Sequence, residues 1–221
     1  MQLEPVDLAT VAPISIDEWP KAGVTMSALL KSNITPRDYL ESERASETKH
    51  EYYAGQVYAM VGASERHNLV TGNVSASLHS QLRRRQCSVF PSDMRVKIAA
   101  MGLYTYPDIS ALCGAAQFED EQRDILLNPT VIVEVLSPST ENYDRGKKFQ
   151  FYRTLQSLVE YLLVAQDAMH VEHYTRQPDG RWLLAEFDQP TDVLHLASIG
   201  CDLALADVYE KVVFGRMSSQ E

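Results

Sequence analysis

Thr130-Val131-Ile132-Val133-Glu134-Val135-Leu136 decides how the chain reads. Six of its seven residues are apolar or β-branched, the composition of a strand buried on both faces. Glu134 interrupts it. A carboxylate in such a strand is costly unless a cation, a proton or hydrogen bonds compensate it. Folding gains nothing from a lone acid there, so the residue points to chemistry, and a metal ion is the expected partner.

A second acid lies upstream in Tyr106-Pro107-Asp108-Ile109-Ser110-Ala111-Leu112. This stretch also reads as a short strand, with Pro107 at its start, where a missing backbone donor matters least. Side chains alternate along a strand, so Ile132, Glu134 and Leu136 share one face, and Asp108 and Ser110 share another. If the two strands pair, Asp108 and Glu134 can meet. Two carboxylates at one point share a proton or bind a hard divalent cation, and oxygen-only ligands suit magnesium or manganese.

The flanking segments suggest one mixed sheet with helices packed on it, an α/β class with α+β character. Thr35 and Pro36 form a helix start, an N-cap followed by proline in the first turn. Glu51 to Met60 reads as a hairpin turning at Ala54-Gly55. A helix is expected from about Glu65 to Arg84, with Val70, Val74, Leu78 and Leu82 as its apolar stripe. Val89 to Ala99 reads as one strand. A helix from about Asp144 to Leu155 follows the Glu134 strand. Further strands are expected over 160–164, 169–175 and 181–187, with a turn at Pro178-Asp179-Gly180. Residues 1–34, with Pro5, Pro13 and Pro20, read as an arm, and 35–215 as the domain.

Composition narrows the function. The chain has 221 residues, 45% of them hydrophobic and 23% charged, the balance of a globular protein. No apolar run reaches the roughly 20 residues of a membrane helix. The start lacks a basic segment followed by an apolar stretch, so no secretory signal is expected. Cys87, Cys113 and Cys201 are scattered and odd in number; no disulfide framework or zinc site is expected, and a reducing cytoplasm is the simplest setting. A net charge of −10 argues against coating nucleic acid by bulk electrostatics, though a local basic patch is compatible with it. Arg83-Arg84-Arg85 and Arg145-Gly146-Lys147-Lys148 are the two candidate patches.

Together, Pro107-Asp108, Glu134-Val135-Leu136-Ser137-Pro138-Ser139-Thr140, Asp144-Arg145-Gly146-Lys147-Lys148 and Tyr152 resemble the signature of the Uma-type restriction endonuclease family, within the PD-(D/E)XK nuclease superfamily. Glu51 to Met60 followed by His67 is similar to that family too, and the likeness covers roughly residues 35 to 210. The resemblance implies a restriction-endonuclease-like fold, a central mixed β-sheet flanked by helices. It also implies magnesium-dependent hydrolysis of phosphodiester bonds in DNA, with manganese as a substitute ion and a homodimer as the working form. Asp108, Glu134 and the Val135 carbonyl would hold the metal. Lys148 would stabilise the charge that builds on the phosphoryl group.

One position departs from the superfamily pattern. The expected lysine two residues after the glutamate is Leu136. Lys148 is the replacement suggested by the family's Asp-Arg-Gly-x-Lys stretch, and Lys97 is the runner-up. Lys148 also follows Asp144 by four residues, the spacing of an ordinary ion pair on a helix surface. Glu51 reads as a third acid of the site or as a strand-edge charge. His67 reads as a histidine packed toward the sheet or as a member of the site. Two other functions fit the same residues: a catalytically degenerate interaction protein on a nuclease scaffold, and a hydrolase of another phosphate ester.

Overall fold

The computed structural model describes residues 33–60 and 62–214. Most of the expected N-terminal arm, residues 1–32, lies outside them. The elements run α1 (Pro36–Ala45), β1 (His50–Tyr53), β2 (Gln56–Ala59), α2 (Glu65–Leu82), β3 (Cys87–Pro91), β4 (Arg95–Ile98), β5 (Leu103–Thr105) and β6 (Ile109–Cys113). Then come β7 (Ile125–Leu126), β8 (Val131–Leu136), α3 (Glu141–Tyr143), a π-helical turn (Asp144–Lys148) and α4 (Phe149–Tyr152). The chain closes with β9 (Glu160–Ala165), β10 (Val171–Arg176), β11 (Trp182–Phe187), β12 (Val193–Leu196), β13 (Cys201–Ala204) and α5 (Leu205–Val208).

The chain divides into two compact units. The first runs up to Gly62 and includes 97–105. Here Thr35 caps α1 through a reciprocal pair of hydrogen bonds with Asp38, and Pro36 opens the helix as its sequence requires. β1 and β2 form the expected hairpin, with Ala54 and Gly55 both at positive φ (51° and 86°), as a tight two-residue turn demands. β5 lies on the other side of β1. Tyr39, Tyr52 and Tyr104 make the unit's aromatic core, with ring centroids 5.1 to 5.9 Å apart.

The second unit, 63–96 and 106 onward, holds a six-stranded mixed sheet of order β11-β10-β9-β8-β6-β3. β8 and β9 are parallel, and the other neighbours are antiparallel. A parallel pair needs a crossover; α3, the π turn and α4 supply it between β8 and β9. β8 is buried at all six positions. One face of the sheet meets Val70, Val74, Leu78 and Leu82 of α2, the stripe that the four-residue recurrence predicts. Val131, Val133 and Val135 face that helix layer, together with Ile109 and Ala111. By alternation Ile132, Glu134 and Leu136 face the crossover. The observed class is the expected one, a mixed sheet flanked by helices.

Two expectations are corrected. The segment 89–99 is two strands, not one: Met94 N donates to Pro91 O at 3.1 Å, closing a turn between β3 and β4. Cys87 and Cys113, expected to stay apart, form a disulfide. β3 and β6 are antiparallel, and their register sets these two residues directly opposite one another. A spacing of 26 residues does not reveal that pairing; only the strand register does. The β12–β13 hairpin and α5, which periodicity did not single out, cover the α2 side of the core with Leu194, Leu196, Leu203 and Leu205.

Candidate active site

Asp108 and Glu134 meet across a ladder. β6 and β8 pair Ile109 with Val133, Ser110 with Ile132 and Ala111 with Val131. One step further along the same register, Asp108 falls opposite Glu134. Pro107 sits just before, where the chain enters the strand without a ladder donor. Asp108 Oδ2 accepts a hydrogen bond from Val135 N at 2.7 Å, so the side chain is tied to the backbone beside Glu134.

The crossover brings the rest. Lys148 Nζ lies 2.9 Å from Glu134 Oε1 and 3.5 Å from Asp144 Oδ1. Tyr152 donates its hydroxyl to the same Glu134 Oε1 at 2.8 Å. Asp144 and Lys148 bound the π-helical turn, and both are buried. Such turns are rare and recur at functional sites. Tyr161 of β9, on the face shared with Ile132 and Glu134, donates to the Asp144 carbonyl at 3.1 Å and stacks on Phe149, which fixes the turn from below.

From α2, His67 Nε2 reaches Asp108 Oδ2 at 3.3 Å. Its backbone N–H is taken by the capping Ser64 hydroxyl at 3.1 Å, so the first turn of the helix aims the ring at the sheet end. His67 therefore joins Asp108 and does not sit as an isolated core residue.

The electrostatics follow from burial. The Glu134 carboxyl is pushed well above the usual carboxylate range, chiefly by burial, then by the charges of Asp144 and Asp108, with Lys148 opposing. Burial alone would lower His67, but its bond to Asp108, the charges of Asp108 and Asp144, and the Val135 carbonyl outweigh that and raise it. Burial, Glu134 and Asp144 raise the Tyr161 phenol. Asp144 and Asp108 thus both act on Glu134, which has one lysine against it: an excess of negative charge in a poorly hydrated place.

Asp144 reads from the sequence as a surface partner of Lys148, and Tyr152 reads there without a role in the site; both meet the cluster. The signal was present in the four-residue steps 144, 148 and 152, which a helix lays along one side.

The other expected residues make contacts of their own. Glu51 and Lys97 belong to the first unit. There Thr105 donates its hydroxyl to Glu51, and Lys97 Nζ lies 5.1 Å from the centre of the Tyr104 ring. The basic stretch 145–148 is not one exposed patch. Arg145 is held by Glu141 (2.9 Å) and Glu172 (2.7 Å), Lys147 lies over Phe151, and Lys148 turns inward. In the other stretch, Arg85 donates to the Gly200 carbonyl at 3.0 Å.

Does this set fit a hard divalent ion? Among the described residues no group of three or more His, Cys, Asp or Glu side chains is arranged to hold a metal. Asp108 and Glu134 nevertheless engage the protein through one oxygen each, Oδ2 and Oε1. Each keeps a second oxygen for another ligand. Magnesium takes one or two protein carboxylates and retains several waters. An oxygen-only pair with a third acid close by matches that demand.

The fold and the paired acids define a nuclease-like α+β protein. A solved structure described as a putative nuclease belonging to DUF820, from Anabaena variabilis, superposes with a TM-score of 0.63. The match covers 76% of this chain and 93% of the other at 19% identity, and shows the shared fold. Two uncharacterized proteins of Synechocystis sp. are similar in sequence. One is 36% identical over 181 residues, 82% of this chain and 94% of its own. The other is 40% identical over 153 residues, 69% and 86% respectively. The model of the family Uma2, described as putative restriction endonuclease, matches residues 36–206, and the chain belongs to that family. Membership supports a nuclease function, a hydrolase acting on phosphodiester bonds. No helix among the described residues is long and apolar enough to cross a membrane.

Proposed function

We propose that this protein is a magnesium-dependent endonuclease of DNA, with manganese as a substitute ion. The observation that carries the reading is the Asp108–Glu134 pairing across the β6–β8 ladder with Lys148 at 2.9 Å from Glu134. Asp108, Glu134 and the Val135 carbonyl would hold the ion, which supplies positive charge for the transferring phosphoryl group when bound. Lys148 adds a second positive charge at the same point and stabilises the pentavalent transition state. His67 holds Asp108 from the α2 side, and Tyr152 fixes the rotamer of Glu134. The working form is a homodimer, because cutting both strands of a duplex takes two centres. We place the protein in the cytoplasm, where its DNA substrate lies; the reducing poise there opens the Cys87–Cys113 bond, which closes again when the protein is isolated in air.

Plasmid cleavage with magnesium or manganese tests the reading, run beside Asp108→Asn and Glu134→Gln with manganese titration by calorimetry. The expected result is cleavage and metal binding by the wild type and loss of both in each variant. Equal cleavage by all three would discard the site. Absence of both metal binding and cleavage in the wild type would favour the non-catalytic interaction protein, the reading that Leu136, buried at the usual lysine position, supports.

A further inference from the structure

β11 is an edge strand with little of the usual protection. Its inner side pairs with β10 over six residues, and no strand among the described residues pairs with its outer side. Leu183 and Leu184 are 59% and 43% exposed, one on each face of the strand. Exposed edges are commonly blunted by lysine, proline or a bulge. Trp182–Phe187 contains no lysine or proline, and Glu186 is its single charge. The opposite edge strand, β3, ends in Pro91, which has no N–H to offer.

The phase of the edge can be read from the turn. Gln177 N donates to the Arg181 carbonyl at 2.7 Å, so Arg181 turns its backbone groups toward β10. Alternation then gives Leu183, Ala185 and Phe187 the same direction, and turns Trp182, Leu184 and Glu186 outward. We infer that a second copy of this chain pairs antiparallel along β11 about a two-fold axis at Leu184, joining two six-stranded sheets into one.

The register follows from backbone chemistry. In an antiparallel ladder an outward residue must face an outward residue. Centring on Leu184 uses all three: Leu184 faces its own copy, and Trp182 faces Glu186 of the second copy. Centring on Ala185 would set Trp182 against Asp188, whose N–H is already given to Asp192. Centring on Leu183 would set Glu186 against Gly180, whose N–H is given to Gln177. Centring on Glu186 would oppose two carboxylates.

Charge agrees with this choice. The Arg176 guanidinium lies 4.9 Å from the centre of the Trp182 ring, on the same sheet face as Glu186. Arg176 has no carboxylate partner among the described residues, and its buried Nε lacks a hydrogen bond. The pairing brings Glu186 of the second copy to the ring that Arg176 covers. Glu186 is exposed and makes one contact of its own, to His170 at 3.4 Å.

This gives the proposed homodimer its interface, and its test reads assembly rather than cleavage, so a failure here leaves the nuclease reading to its own experiment. Light scattering after gel filtration should show twice the chain mass for the wild type and half that value for Leu184→Lys, with an unchanged far-UV circular dichroism spectrum. Under oxidation, Leu184→Cys should cross-link to a dimer, since opposed residues of a hydrogen-bonded pair lie within disulfide reach. Val193→Cys, exposed on β12, should remain uncross-linked. If Leu184→Lys does not fold, the cysteine pair of variants decides. A monomeric wild type, a dimer that survives Leu184→Lys, or an uncross-linked Leu184→Cys would overturn the inference.

Discussion

Lys148 sets its ammonium 2.9 Å from Glu134 Oε1, and both side chains are almost closed to solvent, at 7% and 4% exposure. The pair joins the central strand to the π turn of its own crossover. Removing one member of a buried pair leaves an uncompensated charge, at a cost of about 3 to 5 kcal/mol. Lys148→Met should therefore lower unfolding stability by about 3 kcal/mol in urea titrations. Adding Glu134→Gln to that variant should restore part of the loss. A double variant no more stable than Lys148→Met alone would show that the two groups do not compensate each other.

Tyr152 offers a gentler probe of the same carboxylate. Its ring is fully buried beside Tyr161, with centroids 5.5 Å apart, so phenylalanine should keep the packing. The 2.8 Å hydroxyl bond to Glu134 disappears. Tyr152→Phe should cost about 1 kcal/mol, the typical net worth of a buried hydrogen bond. It should also weaken manganese binding, because Glu134 loses the contact that fixes its rotamer. A calorimetric affinity equal to the wild type would remove Tyr152 from that role.

These residues also show where sequence reasoning reached and where it stopped. Periodicity gave α2 and its stripe, and composition gave β8, because burial writes a repeating pattern into a single segment. Alternation put Glu134 on the face opposite Val133 and Val135, and the observed core agrees. What the sequence left hidden are relations between distant segments. Cys87 meets Cys113 because β3 and β6 take one particular register. Asp144 and Lys148 are buried together because the crossover packs back on β8, which their spacing alone does not reveal. β12 and β13 are four residues each, too short for their alternation to stand out.

Glu160 links stability to pH away from the candidate site. It is 1% exposed and accepts from Ala197 N (3.1 Å), Ser198 N (3.3 Å) and the Ser198 hydroxyl, with His173 Nε2 at 3.3 Å. Burial alone would raise its pKa; the bonds from His173 and Ser198 outweigh that and hold it below the usual range. A carboxyl depressed in the folded state contributes stability that is present above its unfolded value, about 4.3. That contribution is lost as the pH falls through the lower folded value. Glu160→Gln should cost about 2 to 3 kcal/mol at neutral pH, and the gap to wild type should narrow under acid. A gap that stays constant from neutral pH down to strong acid would contradict the assignment.

The Cys87–Cys113 bond fastens the edge strand β3 to β6, the strand that begins one residue after Asp108. It closes a segment with a sequence separation of 26 residues. Chain-entropy arguments put the value of such a closure at about 3 kcal/mol, acting through the unfolded state. Cys113 is exposed, so a small reductant can reach the bond. Cys201 is buried in the α2 core and its thiol is raised by burial, so it is a poor competitor for exchange. Dithiothreitol should therefore lower the urea midpoint of the wild type and leave that of Cys87→Ser/Cys113→Ser unchanged. The six-residue ladder of β8 on β9 and the α2 stripe do not depend on the bond, so the reduced protein should keep its circular dichroism spectrum in the absence of urea. Mass spectrometry of the intact, alkylated chain supplies the independent check: one label on the native protein before reduction, after unfolding, and three labels after it.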